Sequence, residues 1–135
     1  MSDFNSAIIE EFRTHGGKVG GPFEGAPLLL LTSVGARSGE SRTTPVMYLP
    51  DGERMVIFAS KAGAPTHPAW YHNLLANPSA TVEVGTDKLD VRARVAEGEE
   101  RERLYARQSA LRPQFDDYQR KTTRQIPVVV LEPVG

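Results

Sequence analysis

Six short strand-type runs, each closed by turn residues, constrain this chain more than any other feature. PLLLLTSV, at 27–34, is an unbroken apolar run, the pattern of a strand buried on both faces. RTTPVMYL, at 42–49, is β-branched and aromatic, and Pro45 inside it implies a sheet edge or a bulge. The turn Pro50-Asp51-Gly52 leads into RMVIFAS at 54–60. Ala80, Val82 and Val84 alternate with polar residues, as do Leu89, Val91, Ala93 and Val95 beyond the Gly85 turn, so this hairpin has one wet side. IPVVVL, at 126–131, closes the set. Helical patterns are fewer. AWYHNLLAN follows Pro68, a charged segment runs from Glu97 to Ala110, and a short piece after Pro113 carries Phe115 and Tyr118. Many short strands with few helices predict an antiparallel β-barrel with helical connections, not a parallel doubly wound sheet.

One element precedes the barrel. Phe4, Ile8 and Phe12 recur at helical spacing and stop at Gly16-Gly17, followed by the glycine-rich stretch GGKVGGPFEG. Residues 1–25 therefore read as a helical arm on a flexible joint, and 26–135 as the barrel domain. The arm's apolar stripe is a candidate for closing over a substrate, for touching a membrane surface, or for a contact between two copies of the chain. The N-terminus is acidic and lacks the basic region of a signal peptide, and no apolar run approaches the ~18 residues of a membrane helix, so the chain is expected in the cytoplasm.

The 16 basic and 17 acidic residues give a net charge of −1, without the basic footprint that general nucleic-acid binding requires. The absence of cysteine excludes thiolate metal sites, cysteine nucleophiles and disulfides. His67 and His72 are five apart with no carboxylate near them in sequence, so no metal site is expected; a helix cap at His67 and a surface position at His72 suffice. No GxGxxG or Walker loop is present, and no histidine and carboxylate are placed to activate a serine.

The chemistry concentrates between 35 and 70. Arg37, Arg42 and Lys61 each sit beside small residues, in GARSG, ESR and SKAGA. Small residues let backbone N–H groups approach an anion, and the start of the Pro68 helix adds positive potential if it points the same way. The alternative is that these cations only solvate turns. Trp70 is either plain core or a wall for a flat ring. The Ser60 hydroxyl ends a strand and is placed to enter a pocket, and the Tyr118 phenol can donate a proton.

At these residues the chain resembles the deazaflavin-dependent nitroreductases of actinobacteria. The likeness runs from about 27 to 133 and rests on G-x-R-S-G, R-x-x-P, S-K-x-G-A and H-P-A-W-Y-x-N-L in that order. The resemblance implies a split β-barrel that uses reduced coenzyme F420, an 8-hydroxy-5-deazaflavin, as hydride donor. It implies that Arg37, Arg42, Lys61 and the backbone of Ala62, Gly63 and Ala64 hold the phosphate and acidic tail. Pro45, Val46 and Met47 would flank the ring, with Trp70 and Asn73 lining the groove. Tyr118, assisted by Ser60, would polarise the acceptor. Tyrosines of the prototype are replaced here by Met47, Arg112 and Phe115, so a pocket of Met47, Phe115 and Tyr118 is expected to take a lipophilic acceptor: a quinone, an activated enone or a nitro compound. Two other readings stay open, an FMN enzyme on the same barrel and a non-catalytic carrier of the coenzyme.

Overall fold

The computed structural model describes residues 3–20 and 27–134. Its elements follow in the order α1 (Asp3–Thr14), β1 (Leu28–Val34), β2 (Ser41–Asp51), β3 (Arg54–Phe58), a 3-10 turn (Lys61–Gly63), α2 (Ala69–Ala76), β4 (Ser79–Val84), β5 (Asp87–Ala96), α3 (Gly98–Leu111), α4 (Gln114–Lys121) and β6 (Val128–Pro133). The six strands close into an antiparallel barrel in the order β1-β2-β3-β6-β5-β4.

Side-chain alternation explains why three strands read as continuous apolar runs. In β1, Leu29 and Leu31 point into the barrel, whereas Leu28 and Leu30 point outward onto α1. In β3 and β6, Ile57, Val129 and Leu131 fill the interior, while Val56, Phe58, Val128 and Val130 face the Leu104, Tyr105 and Phe115 side chains of α3 and α4. A strand with a helix on its outer face has no wet side. The hairpin of β4 and β5 lacks such cover along most of its length and alternates as predicted.

The helix expected to hang on a loose joint is instead packed on the barrel. Ile8 and Phe12 are buried with Val19, Leu28 and Leu30, and Arg13 forms a two-pronged ion pair with Glu83 of β4 at 2.7 and 3.1 Å. These two members of the apolar stripe are therefore not a free face for a membrane, a substrate or a second copy. The side chain of Phe4 and residues 21–26 of the glycine-rich stretch lie outside what is described. No helix among the described residues is long and apolar enough to cross a membrane.

The barrel is not uniformly knit. β2 pairs with β1 through residues 41–47 but with β3 only through 48–51. Pro45, which has no N–H to donate, lies in the part of β2 that β3 does not reach. This split between β2 and the end of β3 opens the cleft described next.

Candidate active site

A cavity of about 750 Å³ occupies the split. One wall is the edge of β2, with Thr44, Pro45, Val46 and Met47. The opposite wall is Phe58 at the end of β3, then Ser60 and Lys61. Pro68, Ala69 and Trp70 bring the N-terminus of α2 to it, and Phe115 and Tyr118 face it from α4. The positive end of α2 and the Lys61 ammonium thus lie along a largely apolar, aromatic cleft. Eight residues singled out from the sequence, Pro45, Val46, Met47, Ser60, Lys61, Trp70, Phe115 and Tyr118, meet here although they come from four separate segments.

The others are placed differently. Asn73 is buried under β1, where its Oδ1 accepts from the Ala36 N–H at 2.9 Å. It anchors the turn carrying Arg37 and does not line the cleft. Arg37 is exposed on that turn, and Arg42 is exposed at the start of β2, two residues before Thr44 and so on the same strand face. The expectation that the backbone of 62–64 cradles an anion is narrowed by its own turn. The Gly63 and Ala64 N–H groups donate to the Ser60 and Lys61 carbonyls at 2.9 and 3.0 Å, so these two amides are already engaged. Lys61 holds a left-handed backbone, with φ of +47°, and its Nζ reaches Thr66 Oγ1 at 3.2 Å.

Residues the sequence did not flag hold this arrangement. Arg124, between α4 and β6, donates to the carbonyls of Ala59, Ser60 and Ala64 at 3.1, 2.8 and 2.9 Å, and to His67 Nδ1 at 2.9 Å. His67 is therefore not a helix cap: its Nδ1 accepts from Arg124, which requires the neutral ring with its proton on Nε2. Burial, followed by the nearby Arg124 and His72 charges, lowers its pKa. Its ring also packs against Tyr71 and His72. Tyr105 donates to the Phe115 carbonyl at 2.6 Å, and burial pushes its phenol up to about 12. Arg101 binds Gln119 and the Ile126 carbonyl, both at distances below 3 Å. The two fix α4, and with it Phe115 and Tyr118, against the barrel. Arginines in TTRQIP and GEERERL carry no local pattern that separates such a role from surface solvation.

A split antiparallel barrel whose cleft joins a cation, a helix N-terminus and aromatic walls is of the class suited to holding a flat, anionic ligand. The family model for F420H(2)-dependent quinone reductases matches residues 7–133, and the chain belongs to that family. An F420H(2)-dependent quinone reductase of Mycobacterium tuberculosis is 39% identical over 126 residues, which covers 89% of this chain and 83% of the relative. Among solved structures, an F420-H2-dependent reductase, FDR-A, superposes with a TM-score of 0.73 at 42% identity over 78% of this chain and 94% of its own. A second structure, described as a domain-swapped dimer, gives 0.75 at 39% identity over 94% and 92%. The chain is thus an F420H2-dependent oxidoreductase, and between the two cofactors left open by sequence the family decides for F420.

Proposed function

We propose that the cleft binds reduced F420 and that its electron acceptor is a quinone or a similarly flat, lipophilic electrophile. The observation that carries this reading is the meeting of Lys61, Trp70, Met47, Phe115 and Tyr118 in one cavity at the split in the barrel. The donor set fits the coenzyme: a cation and a helix N-terminus for its anionic end, an apolar edge strand and Trp70 for its ring. Arg42 extends the cationic side beyond Thr44, and Arg37 adds an exposed cation on the neighbouring turn. When bound, the reduced coenzyme supplies a hydride.

The chain's own residues do the rest. Pro45, Val46 and Met47 present a surface without side-chain charge, which excludes water from the ring and orients it. Tyr118 Oη, with the Ser60 hydroxyl on the same cavity, holds a hydrogen bond on the acceptor oxygen and delivers a proton as charge builds there. Met47 and Phe115 in place of hydroxylated side chains make the acceptor side apolar and favour lipophilic substrates. A membrane contact through the α1 stripe is not part of this reading, since Ile8 and Phe12 are buried. A homodimer is compatible with it, because a structure at 39% identity is described as a domain-swapped dimer.

The test is titration with reduced F420, followed by oxidation of the bound coenzyme with menadione, cyclohexenone and a nitroaromatic. Binding with rapid oxidation by the quinone is expected, and Tyr118→Phe should slow it about 10²-fold or more while coenzyme affinity stays near wild type. Tight binding with no oxidation by any acceptor would replace the enzyme reading with a carrier.

A further inference from the structure

We infer that Arg124 is a positioning residue for coenzyme binding: it sets the backbone of Ser60–Ala64 and so aims Ser60 and Lys61 into the cleft. This rests on the cleft being the coenzyme site, but the geometry behind it is independent of any ligand.

Apart from the packing of Gly63 against Tyr118 and Lys121 of α4, no strand ladder holds Ser60–Ala64. It follows the last β3 residue paired with β6, Phe58, so no ladder continues into it. Lys61 adopts a left-handed conformation that an L-residue enters only at a cost, and Gly63 follows at φ +82°. The turn's internal bonds, Gly63 to Ser60 and Ala64 to Lys61, satisfy two N–H groups and do not use the Ala59 or Ala64 carbonyls. One guanidinium gathers three carbonyls on both sides of Lys61, those of Ala59 and Ala64 and that of Ser60, whose oxygen also accepts from Gly63. Only a planar group with several donors in a fixed fork can do this. A lysine ammonium is a single point with three donors and cannot span the same set.

Arg124 is in turn held from the far side. Its Nη1 donates to His67 Nδ1 as well as to Ala59, and His67 is wedged against the Tyr71 and His72 rings of α2. The guanidinium therefore ties together three parts of the cleft wall: the end of β3, the 3-10 turn and the approach to α2. Arg124 itself does not line the cavity, so its effect on coenzyme runs through Ser60 and Lys61.

The experiment compares wild type, Arg124→Lys and Arg124→Ala as purified full chains, each checked for a cooperative thermal transition. Amide hydrogen exchange without ligand is the first readout. Gly63 and Ala64 should exchange at least about ten-fold faster in both variants, because a lost charge-assisted contact has that weight. The second readout is the kinetic split: in Arg124→Lys, KM for reduced F420 should rise about ten-fold or more through Lys61, and kcat should fall by less than KM rises, since Tyr118 stays on α4 and only the assisting Ser60 hydroxyl is displaced. Unchanged exchange at Gly63 and Ala64 in both variants overturns the inference whatever the ligand does. So does a wild-type KM in Arg124→Lys. If wild type fails to bind reduced F420 while exchange still accelerates, the backbone role stands and the assignment of the cleft to coenzyme falls.

Discussion

Gly63 lies directly against the backbone of Tyr118: a Cβ built on Gly63 would stand 2.8 Å from the Tyr118 carbonyl oxygen and 3.1 Å from its Cα. The 3-10 turn and α4 are thus in van der Waals contact at the one position where a side chain is absent. With φ at +82°, Gly63 also occupies a conformation that other residues adopt only under strain. Gly63→Ala must push α4 outward or unwind the turn. We expect a loss of about 1–3 kcal/mol in stability and a drop in turnover, because the shift moves Tyr118 relative to Lys61. Thermal unfolding and steady-state kinetics check both; a variant with wild-type Tm and kcat would show that the two segments do not constrain each other.

Much of this was legible in the sequence, for a physical reason. Strands with period-two or continuous apolar patterns announce themselves locally, so the barrel and its helical connections could be read directly, and Pro45 marked the unpaired edge that became the cleft wall. Contacts across the fold were not legible. Asn73 is expected in the groove only from the family resemblance. It shares the buried side of α2 with Trp70, but it lies about 4.5 Å further along the helix axis, where it meets Ser33 and the Ala36 N–H and not the cleft at the helix start. Arg124 looked like any other of the basic residues near the C-terminus. Its acceptors lie about sixty positions away in the chain, and no local pattern encodes that pairing. The α1 stripe read as unpartnered because its partners, Leu28 and Leu30, had already been credited to a strand buried in the barrel.

Lys61 allows charge and backbone to be separated. Lys61→Ala removes the cation and keeps a side chain in the left-handed region, whereas Lys61→Gly removes the cation and relieves the strain. Both should weaken coenzyme binding about 3- to 10-fold at low salt, and the deficit should shrink as salt screens the exposed ammonium of the wild type. The glycine variant should melt at or above the alanine variant. Equal affinity of Lys61→Ala and wild type at low salt would remove Lys61 from the anion site.

Stability should fall in two steps on acidification. The pKa of His67 is lowered in the fold by burial, and then by the Arg124 and His72 charges, so the unfolded chain binds the proton more readily than the native one. Its contribution is therefore present above about pH 6.5, the unfolded value, and is lost as pH falls through the lower folded one. Asp51, Glu83 and Glu100 are held below the usual carboxylate range, chiefly by hydrogen bonds from Arg54, Arg13 and Arg94 respectively. Their contribution is present above about pH 4.5 and is lost below it. A Tm-against-pH series on wild type and His67→Gln should show the first step only in wild type and the second in both. A first step of the same size in His67→Gln would assign it to another group.

The packing of α1 on the barrel predicts that Ile8 and Phe12 act through stability and not through a membrane. Phe12 is about 1% exposed, within a cluster of Ile8, Val19, Leu28 and Leu30. Truncating a phenylalanine in such a setting costs about 3–5 kcal/mol, from lost burial and the cavity left behind. Met47 packs against the same cluster and also lines the cleft, so the damage should extend from the helix to the active site. Phe12→Ala is therefore expected to melt well below wild type and to raise KM for the acceptor. Glu10→Ala, on the exposed face of the same helix, should leave Tm within about 2 °C of wild type, as surface changes usually do. Equal melting of Phe12→Ala and Glu10→Ala would mean that α1 does not share the barrel's core.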